Sequence, residues 1–259
     1  ILLGLIVSAP GEAQPEPFKV GTITAAPGEM QSGMIQVPEA ADPGAEIPVT
    51  IVHGAEPGPV LALIAGNHGY EYPPILALQR LLGLLDPQEL KGTVLMVHVA
   101  NMPSFLGRTV YYSPIDQMNL NRAYPGKPDG TTSERIAYAV TTEIIEQSDY
   151  LLDIHCGDGN EDLRPYVYMP VTGDPEMDQA TRDIAMAFGI DHIVVDRNRP
   201  TDPQQSIYCS STAVTRGIPA ITVESGYLGT TDNESVVRIV EGVESLMRHY
   251  KMMDGSPRP

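Results

Sequence analysis

Positive charge is scarce in this 259-residue chain. Sixteen Lys and Arg face 33 Asp and Glu, for a formal charge of -17. Such a surface repels the phosphates of DNA, RNA and anionic lipid headgroups, which argues strongly against nucleic-acid binding. Cysteine is scarcer still: Cys156 and Cys209 are too few for a disulfide scaffold and lack zinc-finger spacing. No apolar run reaches the length of about 18 residues that a membrane-spanning helix needs. Internal repeats and long low-complexity stretches are absent. What is present is 42% hydrophobic and 19% charged residues, enough apolar surface for one large folded domain.

The chain opens on Ile1 rather than a methionine, and its first nine residues read ILLGLIVSA, followed by PGEAQ. This resembles the tail of a secretory signal peptide, with a cleavage-like triplet at Gly11-Glu12-Ala13. The expected location is periplasmic or secreted, and otherwise cytoplasmic; no Cys follows the run to suggest a lipoprotein anchor. The expected organisation is a leader remnant at 1–13, strands and turns at 14–48, the domain that carries the chemistry at 49–252, and a linker stub at 253–259. Residues 14–48 are rich in Pro, Gly and Ala and read as edge strands and turns.

From about residue 49, apolar runs of strand length alternate with longer helical patterns. Segments 59–65 (PVLALIA), 93–100 (TVLMVHVA), 150–154 (YLLDI) and 218–223 (IPAITV) are continuous and apolar, as strands covered on both faces are. Ile75, Leu78, Leu81, Leu82 and Leu85 share one stripe of a helix over 74–85. Thr131 followed by Glu134 is a capping-box signature ahead of Ile136, Val140, Ile144 and Ile145. Asp174-Pro175 opens a helix through Ile184 and Phe188, with Pro at its first position. Asp232 opens a last helix through Val236, Val237, Val240, Val243 and Met247. The alternation predicts an α/β fold: a mixed, mostly parallel central sheet with helices on both faces.

Ligands gather at the carboxyl ends of strands in such sheets. Gly66-Asn67-His68-Gly69-Tyr70-Glu71 follows the first buried run and Asn101-Met102-Pro103 the second. Asp153-Ile154-His155-Cys156-Gly157 closes the third, and Glu224-Ser225-Gly226 the fourth. Two histidines and two glutamates therefore converge on one sheet edge. His68 and Glu71, three residues apart, share one face of a turn. With His155 they form a two-histidine, one-carboxylate set with an open fourth position, the pattern of catalytic rather than structural zinc. Alone, His-x-x-Glu is common by chance; its place after a buried strand and the company of His155 give it weight. One Zn2+ per chain is expected. Glu224, near the metal but not on it, is expected to take and return protons as general acid/base.

Other polar residues leave alternatives open. Asp153, on the same strand face as His155, either orients that ligand or sits in a buried ion pair. Cys156 reads as a small packed thiol, and its pairing with Cys209 stays open. His53, His98, His192 and His249 lack partner patterns and read as core or surface residues. Arg164 and Tyr166, after the His155 strand, are candidates to line the acyl side of a pocket, with a structural turn as the equal alternative.

His-Gly-x-Glu, then Asn-Leu-Asn-Arg, then Asp-x-His, then Glu-Ser-Gly, over residues 60–226, resembles the succinylglutamate desuccinylase/aspartoacylase family of the wider zinc carboxypeptidase-like group. The most specific block runs from Asn101-Met102-Pro103 and Phe105 through Arg108 and Ser113-Pro114-Ile115-Asp116 to Asn119-Leu120-Asn121-Arg122-Ala123-Tyr124-Pro125-Gly126. The family commonly has Asp where this chain has Asn119, and a small or acidic residue at Tyr70.

The resemblance implies that His68, Glu71 and His155 bind zinc, and that Glu224 is the general acid/base. It further implies that Arg108 polarises the scissile carbonyl and that Asn121 and Arg122 hold a substrate carboxylate. A planar guanidinium suits bidentate carboxylate binding, and an arginine aimed at a developing oxyanion stabilises a transition state.

The leading expectation is a zinc-dependent deacylase that cleaves the amide bond of a small N-acyl amino acid or related carboxylate. A metallocarboxypeptidase acting on a peptide, such as a cell-wall peptide, is the alternative, and a non-catalytic binding module the third reading. The resemblance also implies a smaller β-rich domain after the catalytic one. Only nine residues follow Tyr250, so the site is expected to be an open cleft.

Overall fold

The computed structural model describes residues 15–258; the leader-like segment at 1–13 lies outside the described residues. A small hairpin, β1 (Phe18–Val20) and β2 (Ile23–Ala25), precedes the long antiparallel pair β3 (Glu29–Val37) and β4 (Ala45–His53). Then come β5 (Glu56–Ala65), α1 (Tyr72–Leu82), β6 (Lys91–Val97), α2 (Met102–Gly107), α3 (Thr132–Glu143), β7 (Tyr150–His155) and β8 (Tyr166–Pro170). The chain continues through α4 (Pro175–Phe188), β9 (Ile193–Asp196), α5 (Cys209–Val214), β10 (Ala220–Glu224) and α6 (Asn233–His249).

Eight strands form one mixed sheet in the order β3-β4-β6-β5-β7-β10-β8-β9. Its centre, β6-β5-β7-β10, is parallel throughout, as is β8-β9 at one edge. The β3-β4, β4-β6 and β8-β10 pairs are antiparallel. Along β5, Leu61, Leu63 and Ala65 pack into the core beneath α1, α4 and α6. Ala62 and Ile64 pack into the other, with Ile136 and Val140 of α3 and Ala213 of α5. Each face has its own helical cover, which is why these strands read as continuous rather than alternating apolar runs.

The helix starts follow local chemistry. Asp174 caps α4 through Glu176 and Met177 N–H, and Asp232 caps α6 through Ser235 N–H. At α3 the Thr131 side chain accepts from Glu134 N–H while Glu134 Oε2 accepts from Thr131 N–H at 2.9 Å. Thr131→Ala should therefore cost about 1 kcal/mol of stability, read as a lower denaturant midpoint at unchanged slope.

The strands and turns expected at 14–48 are present, with β3 at the sheet edge, and only the boundary at 48/49 moves. β3 and β4 are nine residues each and belong to the main sheet, and β4 crosses the 48/49 boundary drawn from composition. Pro48 stands inside β4. Pro48 stands opposite Met34 of β3, and on its other side its carbonyl accepts from His98 N–H at 3.0 Å just past the end of β6, so the ladder loses only the N–H that proline lacks. The residues after α6 form turns, with Met252 buried in the core. Among the described residues no helix is long and apolar enough to cross a membrane.

Candidate active site

The site lies at the carboxyl edge of the central strands. β5 ends at Ala65, and the chain turns sharply at Gly66, where φ is +70° and a Cβ would stand 2.8 Å from the Val99 Cα. Gly69 makes a second close approach, since a Cβ there would meet the Ser104 carbonyl carbon at 2.2 Å. These two glycines let residues 66–71 fold over the strand end and bring His68 and Glu71 back toward the sheet. Glu71 occupies the N-cap position of α1 but makes no cap hydrogen bond, because its carboxylate is committed elsewhere. His155 and Glu224 end adjacent parallel strands in direct register, so they share one sheet face.

The His68, Glu71 and His155 ligand atoms all lie within 4.8 Å of one another, and all three residues are buried. His68 Nδ1 is 2.7 Å from Glu71 Oε1, and His155 Nδ1 is 2.8 Å from Glu71 Oε2. The outer nitrogens have oxygen partners: His68 Nε2 to Asn119 Oδ1 at 3.1 Å and His155 Nε2 to Asp153 Oδ1 at 2.9 Å. A tautomer that donates Nε2–H outward on both rings would leave both Nδ1 atoms, on the Glu71 side, to ligate a metal. That is how imidazoles are held when they ligate a metal. Asp153 is braced in turn by Asn67 Nδ2 at 2.7 Å.

The electrostatics ask for a cation. Against the effect of its burial, the two imidazoles hold the Glu71 carboxyl down at about 2. His155 is raised well above the ordinary histidine value: burial opposes this, but the Asp153 and Glu71 carboxylates outweigh it. Both shifts mean that the cluster retains positive charge between its carboxylates, and a metal ion can supply that charge in place of protons. Two imidazole nitrogens and a carboxylate oxygen suit zinc.

A cavity of about 680 Å³ opens onto this cluster, lined also by Tyr111, Asn119, Asn121, Arg122, Cys156, Glu161, Tyr166, Tyr168, Asp196, Arg199, Tyr208 and Glu224. Glu224 Oε2 is buried without a hydrogen-bond partner. Burial pushes its carboxyl up to about 8; His155 opposes this, while Glu71, Asp153 and Glu161 add to it. Arg122 and Arg199 stack on Tyr208, with guanidinium carbons 4.5 and 4.4 Å from the ring centroid. Arg199 is ion-paired to Asp196 at 2.6 Å, whereas Arg122 forms no ion pair among the described residues.

The expected site residues do not all meet here. Arg108 is exposed, at φ 51° in the left-handed cap that ends α2; its side chain has no polar partner among the described residues and does not line the cavity. Arg164 is ion-paired to Asp191 at 3.0 Å on the surface and borders a separate groove with Ile190 and Glu234. Asn121 lines the cavity, but its amide is already engaged. Oδ1 accepts from Cys209 N–H at 2.8 Å, and Nδ2 lies 3.1 Å from His155 Nε2. Nδ2 also donates to Asp153 Oδ2 at 3.5 Å, so the amide serves the carboxylate behind His155 more than it reaches into the cavity. Tyr166 is in place, its hydroxyl 3.4 Å from that of Tyr168. Tyr70 packs against Tyr72. Cys156 and Cys209 are free and buried.

Sequence reasoning missed Tyr111, Glu161, Arg199 and Tyr208. All four come from segments outside regular helices and strands, where no periodicity marks a residue as inward-facing. The one available signal was the scarcity of cations, which makes Arg199 one of few.

Residues 57–250, from β5 to the end of α6, match the Succinylglutamate desuccinylase/Aspartoacylase catalytic domain. Over 252 residues the chain is 34% identical to the N-alpha-acetyl-L-2,4-diaminobutyric acid deacetylase of Halomonas elongata, covering 95% of this chain and 71% of that protein. The solved succinylglutamate desuccinylase/aspartoacylase from Rhodobacter sphaeroides superposes with a TM-score of 0.78 at 30% identity, over 88% of this chain and 67% of that one. The product-bound ectoine utilization protein EutE (DoeB) from Ruegeria pomeroyi gives 0.79 at 25% identity, over 93% and 74%. Three strand ends that bring a buried His/Glu/His cluster and Glu224 to one cavity, and relatives that share both sequence and fold, lead to one assignment: the chain belongs to the succinylglutamate desuccinylase/aspartoacylase family.

Proposed function

We propose that the chain is a zinc-dependent amidohydrolase that removes the acyl group from a small N-acyl amino acid. The observation that carries this reading is a buried carboxylate, Glu224, with one oxygen unpartnered, in the same cavity as the convergent His68, Glu71 and His155 donors. Zinc held by those three residues would supply Lewis-acid polarisation of the scissile carbonyl and acidification of water. Glu224 takes the proton of the attacking water and returns it to the leaving nitrogen, so that the products are the acyl carboxylate and the free amine. Burial keeps its proton affinity high enough for both steps. Asp153 and Asn119 hold the two imidazoles in register, and the site needs no reorganisation as charge develops.

Arg122 places the substrate by its carboxylate, with Tyr208 supporting the guanidinium plane. Arg122→Lys should raise KM by roughly tenfold with kcat little changed, since charge remains while the fork is lost. An unchanged KM for a carboxylate substrate would remove Arg122 from recognition.

The assay that tests the function pairs metal analysis with a panel of N-acetyl and N-succinyl amino acids and short peptides. The Halomonas relative's name makes N-acetylated 2,4-diaminobutyrate the first substrate to try. Amine release from acyl amino acids, lost on chelation and restored by zinc, is expected. Cleavage of peptides with no action on acyl amino acids would select the carboxypeptidase reading.

A further inference from the structure

Behind the histidines runs a chain of buried polar groups, none of which lines the cavity: Tyr124, Asn67 and Asp153. Asn67 directly precedes His68 in the turn after β5, and Asp153 stands two residues before His155 on β7. Asn67 Nδ2 donates to Asp153 Oδ1 at 2.7 Å, and that same oxygen lies 2.9 Å from His155 Nε2. One bond between an amide and a carboxylate therefore ties the turn that carries His68 to the strand that carries His155. The Tyr124 hydroxyl completes the chain by donating to Asn67 Oδ1 at 2.8 Å.

The orientation of the Asn67 amide follows from its neighbours. A carboxylate only accepts, so Asp153 must face the NH2 end, and the carbonyl end is left to Tyr124. The phenol is then the donor. Burial, with Cys209 and Asp153 adding to it, pushes the Tyr124 hydroxyl well above its ordinary value, so it keeps its proton. The Cys209 thiol lies beside both the hydroxyl and the amide, but a thiol is a weak donor and a weak acceptor. Asn121 Nδ2 reaches the other Asp153 oxygen only at 3.5 Å. Tyr124 is itself anchored: its ring belongs to the core beneath α3 with Leu120 and Ile136, and its backbone bridges to Ile207.

We propose that Tyr124 is a positioning residue of the metal site: its hydroxyl fixes the Asn67 amide, which holds Asp153, which holds His155 toward the metal. The inference rests on the zinc reading of His68, Glu71 and His155 and on no property of the substrate. Without the hydroxyl, Asn67 Oδ1 is buried with only a thiol beside it, and the amide no longer has a reason to keep its orientation. A turned amide sets Oδ1 against the Asp153 oxygen, two acceptors in contact, and the tie between the two ligand-bearing segments opens. The metal must then order its own ligands, and affinity falls.

Zinc affinity, read on the full chain by competition with a chromophoric chelator, tests this without any turnover. Tyr124→Phe removes the hydroxyl alone and keeps the ring in the core. It should weaken zinc binding by about tenfold, the lower end of what losing a group behind a metal ligand costs. Asn67→Ala should weaken it at least as much. Tyr124→Phe added to Asn67→Ala should then cost nothing more, because the path runs through the amide. Unfolding midpoints of the metal-free variants are measured alongside. Unchanged zinc affinity in Tyr124→Phe, whatever its midpoint, marks a merely structural hydroxyl; it overturns the positioning role and leaves the zinc reading standing. Equal weakening by Tyr124→Phe with and without Asn67 also overturns the role, since the hydroxyl would then act by another route. A wild type that binds no zinc overturns the zinc reading and this inference with it.

Discussion

Glu224→Gln should retain zinc and substrate binding and lose turnover by about two to four orders of magnitude, the scale on which a positioned acid/base acts. The amide keeps the size and the hydrogen-bonding outline of the carboxylate but can neither take nor return a proton. Glu224 ends β10 in register with His155, so the change leaves the sheet and both imidazoles where they are. The pH profile provides the sharper readout. Burial sets the Glu224 carboxyl at about 8 in the metal-free cavity, and the base form is the one that accepts a proton from water. A dication beside it favours the carboxylate, so the acid limb of kcat/KM should lie below pH 8 in the zinc enzyme. Activity rises with pH through that limb, and the limb should vanish from the residual activity of Glu224→Gln. Near-wild-type turnover in the variant, or an unchanged acid limb, would take Glu224 out of the mechanism.

The parts of this protein that its sequence makes legible are those where one physical demand acts alone. β5, β7 and β10 are covered by helices on both faces, so nearly every residue in them must be apolar, and the runs stand out. The helix caps at Thr131, Asp174 and Asp232 are local hydrogen-bond chemistry and appear where their residues are. The His68/Glu71/His155 cluster is legible because its members sit at strand ends, a place fixed by topology. Where two demands compete, the pattern blurs. β3 is an edge strand with one largely exposed face, and β4 carries Pro48, so both read as edge strands and turns set apart from the domain that begins at 49, although they are nine residues each and extend the main sheet.

Arginines show the same limit. Arg108, Arg122, Arg164 and Arg199 are chemically alike, and only the path of the chain decides which of them reach the cavity. The left-handed turn at Arg108 leaves its side chain exposed, and Asp191 holds Arg164 on the surface, while irregular backbone around 197–208 carries Arg199 inward. Glu161 was invisible for the same reason: the 158–161 turn that aims it is pinned by Leu228, far away in sequence.

His68→Ala combined with His155→Ala should abolish both metal and activity, taking zinc from about one ion per chain to none, since a single carboxylate cannot hold the ion against water. The two single variants should differ in a second way. His68 donates outward to Asn119, a neutral amide in a partly exposed turn, and inward it shares the one carboxylate Glu71 with His155, so its loss leaves that buried charge with one imidazole still beside it. His155 lies between Asp153 and Glu71, both buried carboxylates, and its imidazole is what compensates them in the metal-free fold. Removing it leaves Asp153 with the amides of Asn67 and Asn121 alone. His155→Ala should therefore lower stability by about 3–5 kcal/mol, as uncompensated buried charge does, whereas His68→Ala should lower it by far less. Urea unfolding of the chelated proteins reads this difference, and metal analysis of the untreated ones reads occupancy. Full zinc content in the double variant would overturn the assignment of the metal site. Equal stability loss in the two single variants would overturn the asymmetry argued from Asp153, and with it the role of that carboxylate in holding His155 toward the metal.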